Sequence, residues 1–388
     1  MTEVIVEVTG LAPGGEAVGR QVGGAHDGRV TFVASAAPGE RVRAGLVRER
    51  GRVAWAELRE IERPTSDRIK PACPLFGRCG GCQWQHVPRP IQLDTKRRIV
   101  ERALGTALEG VREVSTPFGY RERARLVVGA GPAGQRPVGF HAWRSHEVVD
   151  VRACPLLGPA LAEALPLVRE RAQGQAPGTE VALQAGRDGV AARIGNRSYA
   201  FRDGVEVEGQ ELVDAAEPGS PPLFIPAGAF AQVGAAANAA LVETVLEQVG
   251  PAPGRTLELY AGSGNFTRHL VKLGEVLASD ADRAAVARGR RQVPEAQWLE
   301  APGPAAVGAV QTVVVDPPRD GLDASNLALA KLARRRVVYV SCDPQTLGRD
   351  GQRLRAAGFR LERAVALDLM PQTYHVEVVA SFLRLSGS

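Results

Sequence analysis

Thr256-Leu-Glu-Leu-Tyr-Ala-Gly-Ser-Gly-Asn-Phe-Thr267 reads as a short buried strand, a glycine-rich turn and the start of a helix. Gly262 and Gly264 let the backbone approach a ligand closely, because neither carries a Cβ. The next strand, Glu275-Val-Leu-Ala-Ser-Asp280, ends on an acid 18 residues past Gly262, where a carboxylate can take ribose hydroxyls. A dinucleotide fingerprint would place a third glycine at position 267, for close helix packing beside a pyrophosphate, and Thr267 stands there instead. The turn therefore suits a ligand with a ribose and no phosphate. S-adenosylmethionine is such a ligand. Strand, turn, helix, strand and acid in this order predict a Rossmann-like α/β sheet.

Further along, three segments each carry a reactive side chain at the edge of an apolar strand. Thr312-Val-Val-Val-Asp-Pro-Pro-Arg319 ends a strand on Asp316, and Val337-Val-Tyr-Val-Ser-Cys-Asp-Pro344 ends one on Cys342. Pro371-Gln-Thr-Tyr-His-Val-Glu377 sets Glu377 just before a last apolar strand. In open α/β sheets the carboxyl ends of the strands face the ligand crevice, so these three groups are expected in one pocket. A cysteine at a strand end with an acid nearby points to a nucleophile and a proton acceptor. His375 is expected to be a structural neighbour and not the base. A helix over 345–357 and strands over 360–367 and 376–385 complete the sheet, and this final strand pair resembles the usual end of a class I methyltransferase sheet.

Upstream lies Cys73-Pro-Leu-Phe-Gly-Arg-Cys79-Gly-Gly-Cys82-Gln-Trp-Gln-His86, and Cys154-Pro155 follows later. Two cysteines separated by two glycines let backbone amides turn toward thiolate sulfur, as metal–thiolate sites require. Cys73, Cys79, Cys82 and Cys154 make a four-thiolate set. Zinc would accept that set, while the Cys-Gly-Gly-Cys loop and the Cys-Pro fourth ligand point to a [4Fe–4S] cluster. The fifth cysteine, Cys342, stands apart. An odd number in a chain that begins Met-Thr-Glu-Val-Ile-Val-Glu, without a basic and apolar leader, argues against a disulfide framework.

The 388 residues are too many for one core, and two or three domains are expected. Residues 1–64 alternate short apolar runs with Gly/Pro turns, the pattern of a small β-barrel, and Arg41, Arg43, Arg48, Arg50, Arg52 and Arg59 crowd its second half. Residues 65–228 read as a mixed α/β central domain holding the cysteine set, with a helix over 89–108 free to pack on the last domain. Residues 229–388 are the α/β sheet domain, opened by a helix over 235–248. Hydrophobic content of 44% and charged content of 23% are those of a globular protein, and no apolar run is long enough to span a bilayer. The net charge of +5 and pI near 9.1 fit a nucleic-acid partner. Lysine occurs only at Lys70, Lys96, Lys272 and Lys331, an arginine bias that a GC-rich genome also produces.

In order, the barrel, the four cysteines, Phe230-x-Gln232-Val, Asp316-Pro-Pro-Arg319, Ser341-Cys-Asp-Pro344 and Pro371-Gln-Thr-x-His-Val-Glu377 resemble the family of RNA uracil-5-methyltransferases. These enzymes act on 23S rRNA and tRNA, and the resemblance covers essentially the whole chain. It implies a TRAM-like RNA-binding barrel, Cys342 as nucleophile and Glu377 as base. It further implies cofactor contacts from Gln232, Tyr260, Asn265, Asp280 and Asp316, alongside the backbone of Gly262. Asp316 is open between the cofactor, the edge of the uracil and Arg319. A cytoplasmic monomer acting on 23S rRNA, with tRNA as the second choice, is the expected working form. A cytosine-5 methyltransferase and a non-catalytic RNA-binding factor are the competing readings. The family usually carries asparagine after Gln-Val, where this chain has Gly234.

Overall fold

The computed structural model describes residues 2–24, 26–207, 212–301 and 304–385. The alternation near the start closes into a five-stranded barrel of Glu3–Leu11, Ala17–Gln21, Val30–Ala34, Arg41–Arg50 and Val53–Arg63. Inward positions such as Val6, Val8, Val33, Val42 and Ala44 fill it, since side chains of a strand alternate between faces. The arginines outside are laced to acids. Arg41 pairs with Glu7 and Glu62, Arg43 with Glu3, Glu60 and Glu62, and Arg59 with Glu57, so much of the expected basic surface is neutralised.

The central part is an antiparallel sheet of seven strands between Arg123 and Val207, with the helix Pro159–Ala172 over one face. Leu161, Leu165 and Val168 of that helix pack on Leu126, Leu183 and Ile194. The helix starts at Pro159, with Gly158 as its N-cap, because a proline at the first helical position lacks only an N–H that would have no partner there.

The last sheet has eight strands. Five are parallel, in the order Gln297–Glu300, Val276–Asp280, Thr256–Leu259, Val310–Val315, Ala333–Ser341. Their near-continuous apolar runs are those of strands covered on both faces. Glu377–Arg384 then pairs antiparallel with the cysteine strand, Val378 opposite Ser341, and Phe359–Asp368 pairs with it in turn. That reversal decides the site, because it brings the start of one strand, Glu377, beside the end of another, Cys342.

Two short early segments belong to this sheet. Val111–Glu113 is its eighth strand, parallel to Phe359–Asp368. The helix Arg89–Leu104 lies against the helix Pro344–Arg355, with Val100 and Leu104 in the core of the sheet. The two helices meet closely at Gly348, where a Cβ would stand 2.4 Å from the Ala103 carbonyl oxygen. The helix expected over 89–108 stops at Leu104, since Gly105 takes a left-handed φ of 68° and donates back to Glu101. Among the described residues, no helix is long and apolar enough to cross a membrane.

Candidate active site

The turn after Thr256–Leu259 borders a pocket of about 610 Å³ of empty space. Gln232, Tyr260, Gly262, Asn265 and Asp316 line it, five of the six positions expected to contact a cofactor. Asp280 is not among the lining residues. Its carboxylate accepts the backbone N–H groups of Gly262 and Asp282, each at 2.8 Å, and so shapes the turn from behind. Gly262 has a φ of 58° and Tyr260 one of 62°, and for tyrosine that left-handed conformation is strained. Tyr260 is held there in part by Asn326, whose Nδ2 donates to its hydroxyl at 3.0 Å.

Thr267, the residue that displaces a third glycine, has a use. Its hydroxyl donates to Glu258 Oε2 at 2.7 Å beneath the turn. Glu258 is fully buried, and burial pushes its carboxyl up to about 8, aided by the charges of Asp316 and Asp280. Asn265 exchanges amide hydrogen bonds with Asn238, at 2.9 and 2.7 Å. Glu217 accepts from Asn238 at 2.6 Å and is paired with Arg268, behind the same wall.

Gly234 stands immediately before the helix Ala235–Val249 and offers no side chain to its first N–H groups. Glu122, immediately before the central strand Arg123–Val128, takes that part: its carboxylate accepts the Ala235 N–H at 2.8 Å. A Cβ at position 234 would lie 2.5 Å from the Tyr120 carbonyl oxygen, which explains why asparagine does not fit here.

Asp316 is shared between the cofactor pocket and the reactive end. Burial pushes its carboxyl up to about 7. Cys342 lies close enough to Glu377, Arg319 and Asp316 to feel all three charges. Burial, then the Glu377 and Asp316 carboxylates, push the thiol up to about 11, while Arg319 draws it down. Glu377 is buried and its carboxyl is held well above the ordinary range by desolvation and by Asp316. Two carboxylates and a thiol with one guanidinium hold more protons at neutral pH than isolated groups would.

The flanks of Cys342 serve geometry. Ser341 Oγ donates to the Asp343 carbonyl at 2.9 Å, and Asp343 caps the following helix by accepting the Gln345 and Thr346 N–H groups. Thr346 in turn donates to the Arg319 carbonyl at 2.9 Å, tying the Asp-Pro-Pro-Arg turn to the cysteine turn. His375 is a neutral neighbour. Burial and the charges of Arg319, Lys96 and Arg121 pull its imidazole down to about 3.

The segment that carries Glu377 is fastened from outside its own sheet. The backbone N–H groups of Gln83 and Trp84 both donate to the Gln372 carbonyl at 3.0 Å, and the Tyr120 hydroxyl donates to the Pro371 carbonyl at 3.0 Å. Lys96, fully buried, donates to Asp368 Oδ1 at 2.6 Å and to the Met370 carbonyl at 3.2 Å. The sequence reading missed these clamps, and its only local sign of them was a lysine on a helix otherwise rich in arginine.

The four remaining cysteines share one neighbourhood. Cys79 feels the charges of Cys154 and Cys73, and Cys82 those of Cys154 and Cys79. The Gly81 N–H donates to Cys79 Sγ at 3.4 Å, and Gln85 Nε2 donates to Cys82 Sγ at 3.2 Å. Arg121 places its guanidinium charge beside Cys79, Cys82 and Cys154, and among the described residues its buried Nε has no hydrogen-bond partner. Burial pushes the Cys79, Cys82 and Cys154 thiols up, Cys82 to about 12. Among the described residues, no three Cys, His, Asp or Glu side chains are gathered into a group that could hold a metal ion. The N–H donors and the buried Arg121 cation nevertheless suit an anionic thiolate assembly.

A family model for tRNA (Uracil-5-)-methyltransferase matches residues 307–384, the stretch that contains Asp316, Cys342 and Glu377. The 23S rRNA (uracil(1939)-C(5))-methyltransferase RlmD of Alkalilimnicola ehrlichii is 34% identical over 98% of this chain and 96% of its own. Its counterpart from Pseudomonas putida is 35% identical over 92% and 89%. The crystal structure of Pyrococcus abyssi tRNA (uracil-54, C5)-methyltransferase with S-adenosyl-L-homocysteine superposes with a TM-score of 0.75 at 25% identity, covering 98% of this chain and 99% of that one.

Proposed function

The chain belongs to the RNA uracil-5-methyltransferase family, and from that premise we propose that it methylates carbon 5 of a specific uridine in 23S rRNA, using S-adenosylmethionine. The observation that carries the reading is the meeting of Cys342 and Glu377 beside Asp316, which also lines the pocket under Tyr260 and Gly262.

Carbon 5 of uracil is a weak nucleophile, so the residues must first make it a strong one. The target base is unstacked and enters the pocket. Cys342 gives its proton to a neighbouring carboxylate, Asp316, and its sulfur bonds to carbon 6, which pushes the ring π electrons toward carbon 5 and the carbonyl oxygen at carbon 4 as an enolate. Arg319 favours the thiolate form of Cys342. S-adenosylmethionine would supply a methyl group on a positive sulfur; as carbon 5 bonds to that methyl, the methyl–sulfur bond breaks and its electrons stay on the now neutral sulfur. Glu377 then removes the proton from carbon 5; the electrons of that C–H bond restore the double bond and expel the Cys342 sulfur. The raised carboxyl of Glu377 suits it to accept that proton.

The reading includes three finer assignments. Residues 1–64 serve as a TRAM-like RNA-binding barrel, 65–228 as the central domain, corrected by the helix Arg89–Leu104 and the strand Val111–Glu113, which pack into the last sheet, and 229–388 as the methyltransferase domain. Cys73, Cys79, Cys82 and Cys154 would hold a [4Fe–4S] cluster that supports fold and RNA docking, since methyl transfer moves no net electrons. The protein works as a cytoplasmic monomer.

Tritium release from RNA labelled at uracil carbon 5 tests the reaction, with purified protein, S-adenosylmethionine and separate rRNA and tRNA pools. Release from the rRNA pool, abolished by Cys342→Ser, is expected. Release from tRNA alone would move the substrate to tRNA, and none from either pool would overturn the reaction.

A further inference from the structure

A run of aromatic rings leads away from the Cys342–Glu377 pocket. His375 lies two residues before Glu377, and its ring centroid is 4.2 Å from that of Tyr374. Tyr374 meets Trp143 edge-on, with centroids 6.4 Å apart and planes at 77°. The Arg144 guanidinium sits 5.6 Å from the centre of the Trp143 ring. All three rings are half-buried, so each keeps some surface in contact with solvent.

These rings come from two distant parts of the chain and are held in place from several sides. Trp143 stands at the turn joining the strands Val138–His141 and Val148–Asp150, followed by Arg144 at a left-handed φ of 52°. A non-glycine residue in that conformation persists only where its surroundings impose it. Here they do: Trp143 N–H donates to the Arg78 carbonyl at 3.1 Å, Gly80 N–H donates to the His141 carbonyl at 2.9 Å, and Arg144 pairs with Glu16 of the barrel at 2.6 Å. Tyr374 is wedged against the barrel and the cysteine loop, since a Cβ at Gly15 would meet its ring at 2.8 Å and the Gln83 side chain at 2.9 Å. Exposed Arg78, Arg144 and Arg319 flank the run.

Fixed rings with open surface and flanking guanidinium groups match the chemistry of single-stranded nucleic acid, where bases stack on aromatic faces and phosphates meet cations. Drawing one base out of its stack also unstacks its neighbours, which then need new faces to cover them. We propose that Trp143, Tyr374 and His375 form a stacking platform for the unpaired RNA bases beside the target uridine. The platform rests on the methyltransferase reading only in taking RNA as the polymer.

The test compares Trp143→Leu, Trp143→Phe, Tyr374→Leu and the parent protein. Fluorescence anisotropy measures binding to a fluorescein-labelled unstructured RNA oligonucleotide and to a fully paired RNA duplex. Calorimetry with S-adenosylhomocysteine reports whether each variant is folded. Trp143→Leu keeps apolar bulk without a π face and is expected to weaken single-strand binding roughly tenfold or more. Trp143→Phe should stay near the parent, Tyr374→Leu should reproduce the loss from the catalytic side, and duplex binding should be spared. Single-strand binding by Trp143→Leu equal to the parent's, an equal loss on duplex, or a loss in Trp143→Phe matching that of leucine would each overturn the platform. If the parent binds RNA in this ring-dependent way yet releases no tritium, the proposed reaction fails and the platform stands.

Discussion

Gln92 and Gln372 lock together although 280 positions separate them: Gln92 Nε2 donates to Gln372 Oε1 at 3.1 Å, and the Gln372 N–H donates to Gln92 Oε1 at 3.2 Å. Gln372 is held at a φ of 67°, a conformation glutamine rarely adopts. Five residues further on is Glu377, so the amide pair sets where the proposed base stands.

Replacing Gln92 with leucine keeps the volume and removes the lock. The kcat for methyl transfer is expected to fall by about tenfold or more, because small misplacement of a reacting group is costly, while the KM for S-adenosylmethionine stays unchanged. Steady-state tritium release gives both constants. An unchanged kcat would mean that the Gln83 and Trp84 N–H groups hold the segment on their own.

Glu377→Gln should stop the reaction after methyl transfer, because the carbon 5 proton then has no acceptor. A slowly migrating covalent protein–RNA band is expected in denaturing gels, absent from Cys342→Ala. Without that band the base would have to be sought elsewhere, with Asp316 the next carboxylate at hand.

The Cys342 thiol, pushed up to about 11, is protonated at neutral pH in the RNA-free protein. Its alkylation by iodoacetamide should therefore keep rising well above pH 8.5, where a free thiol would be half ionised. Arg319 favours the thiolate, so Arg319→Gln should shift the profile to higher pH; Glu377 disfavours it, so Glu377→Gln should shift it lower. Mass spectrometry of the Cys342 peptide follows the rate, and shifts of the opposite sign would contradict the charge arrangement.

Asp368 faces two cations, Lys96 and Arg89, and neither its side chain nor that of Lys96 is exposed. Burial already pulls Lys96 down to about 8. Asp368→Asn leaves the lysine charge without a counterion and is expected to destabilise the protein by about 3–5 kcal/mol. Thermal melting followed by circular dichroism should show the loss, with partial recovery when Lys96→Met is added. A melting temperature that does not move would mean that water reaches the site.

Protein purified without oxygen is expected to be brown with iron–sulfur absorbance, and Cys79→Ser should abolish the colour. Colourless protein carrying stoichiometric zinc would assign the four cysteines to that metal.

Much of the site was legible because its signals are local. An apolar strand ending on Asp316 or Cys342 announces its position by length and composition alone, and Gly262 announces a turn. Other residues were legible in kind but not in use. The arginines of the barrel are plain in the sequence, whereas the glutamates that neutralise them come from neighbouring strands. Ser341 and Asp343 flank the cysteine in the sequence, and in the structure they build its turn and cap its helix.

The sequence by itself determined the parallel sheet, the glycine turn and the strand ends that hold Asp316, Cys342 and Glu377, because periodicity and chain reversals act over a few residues. Only the tertiary structure decided that Val111–Glu113 extends that sheet, that Glu122 caps the helix after Gly234, and that Gln92 grips Gln372. A three-residue strand has no period to read, and a hydrogen bond across more than a hundred residues leaves no trace in the spacing of either partner. Such contacts exist only once burial has brought the segments together and left each polar group in need of a partner.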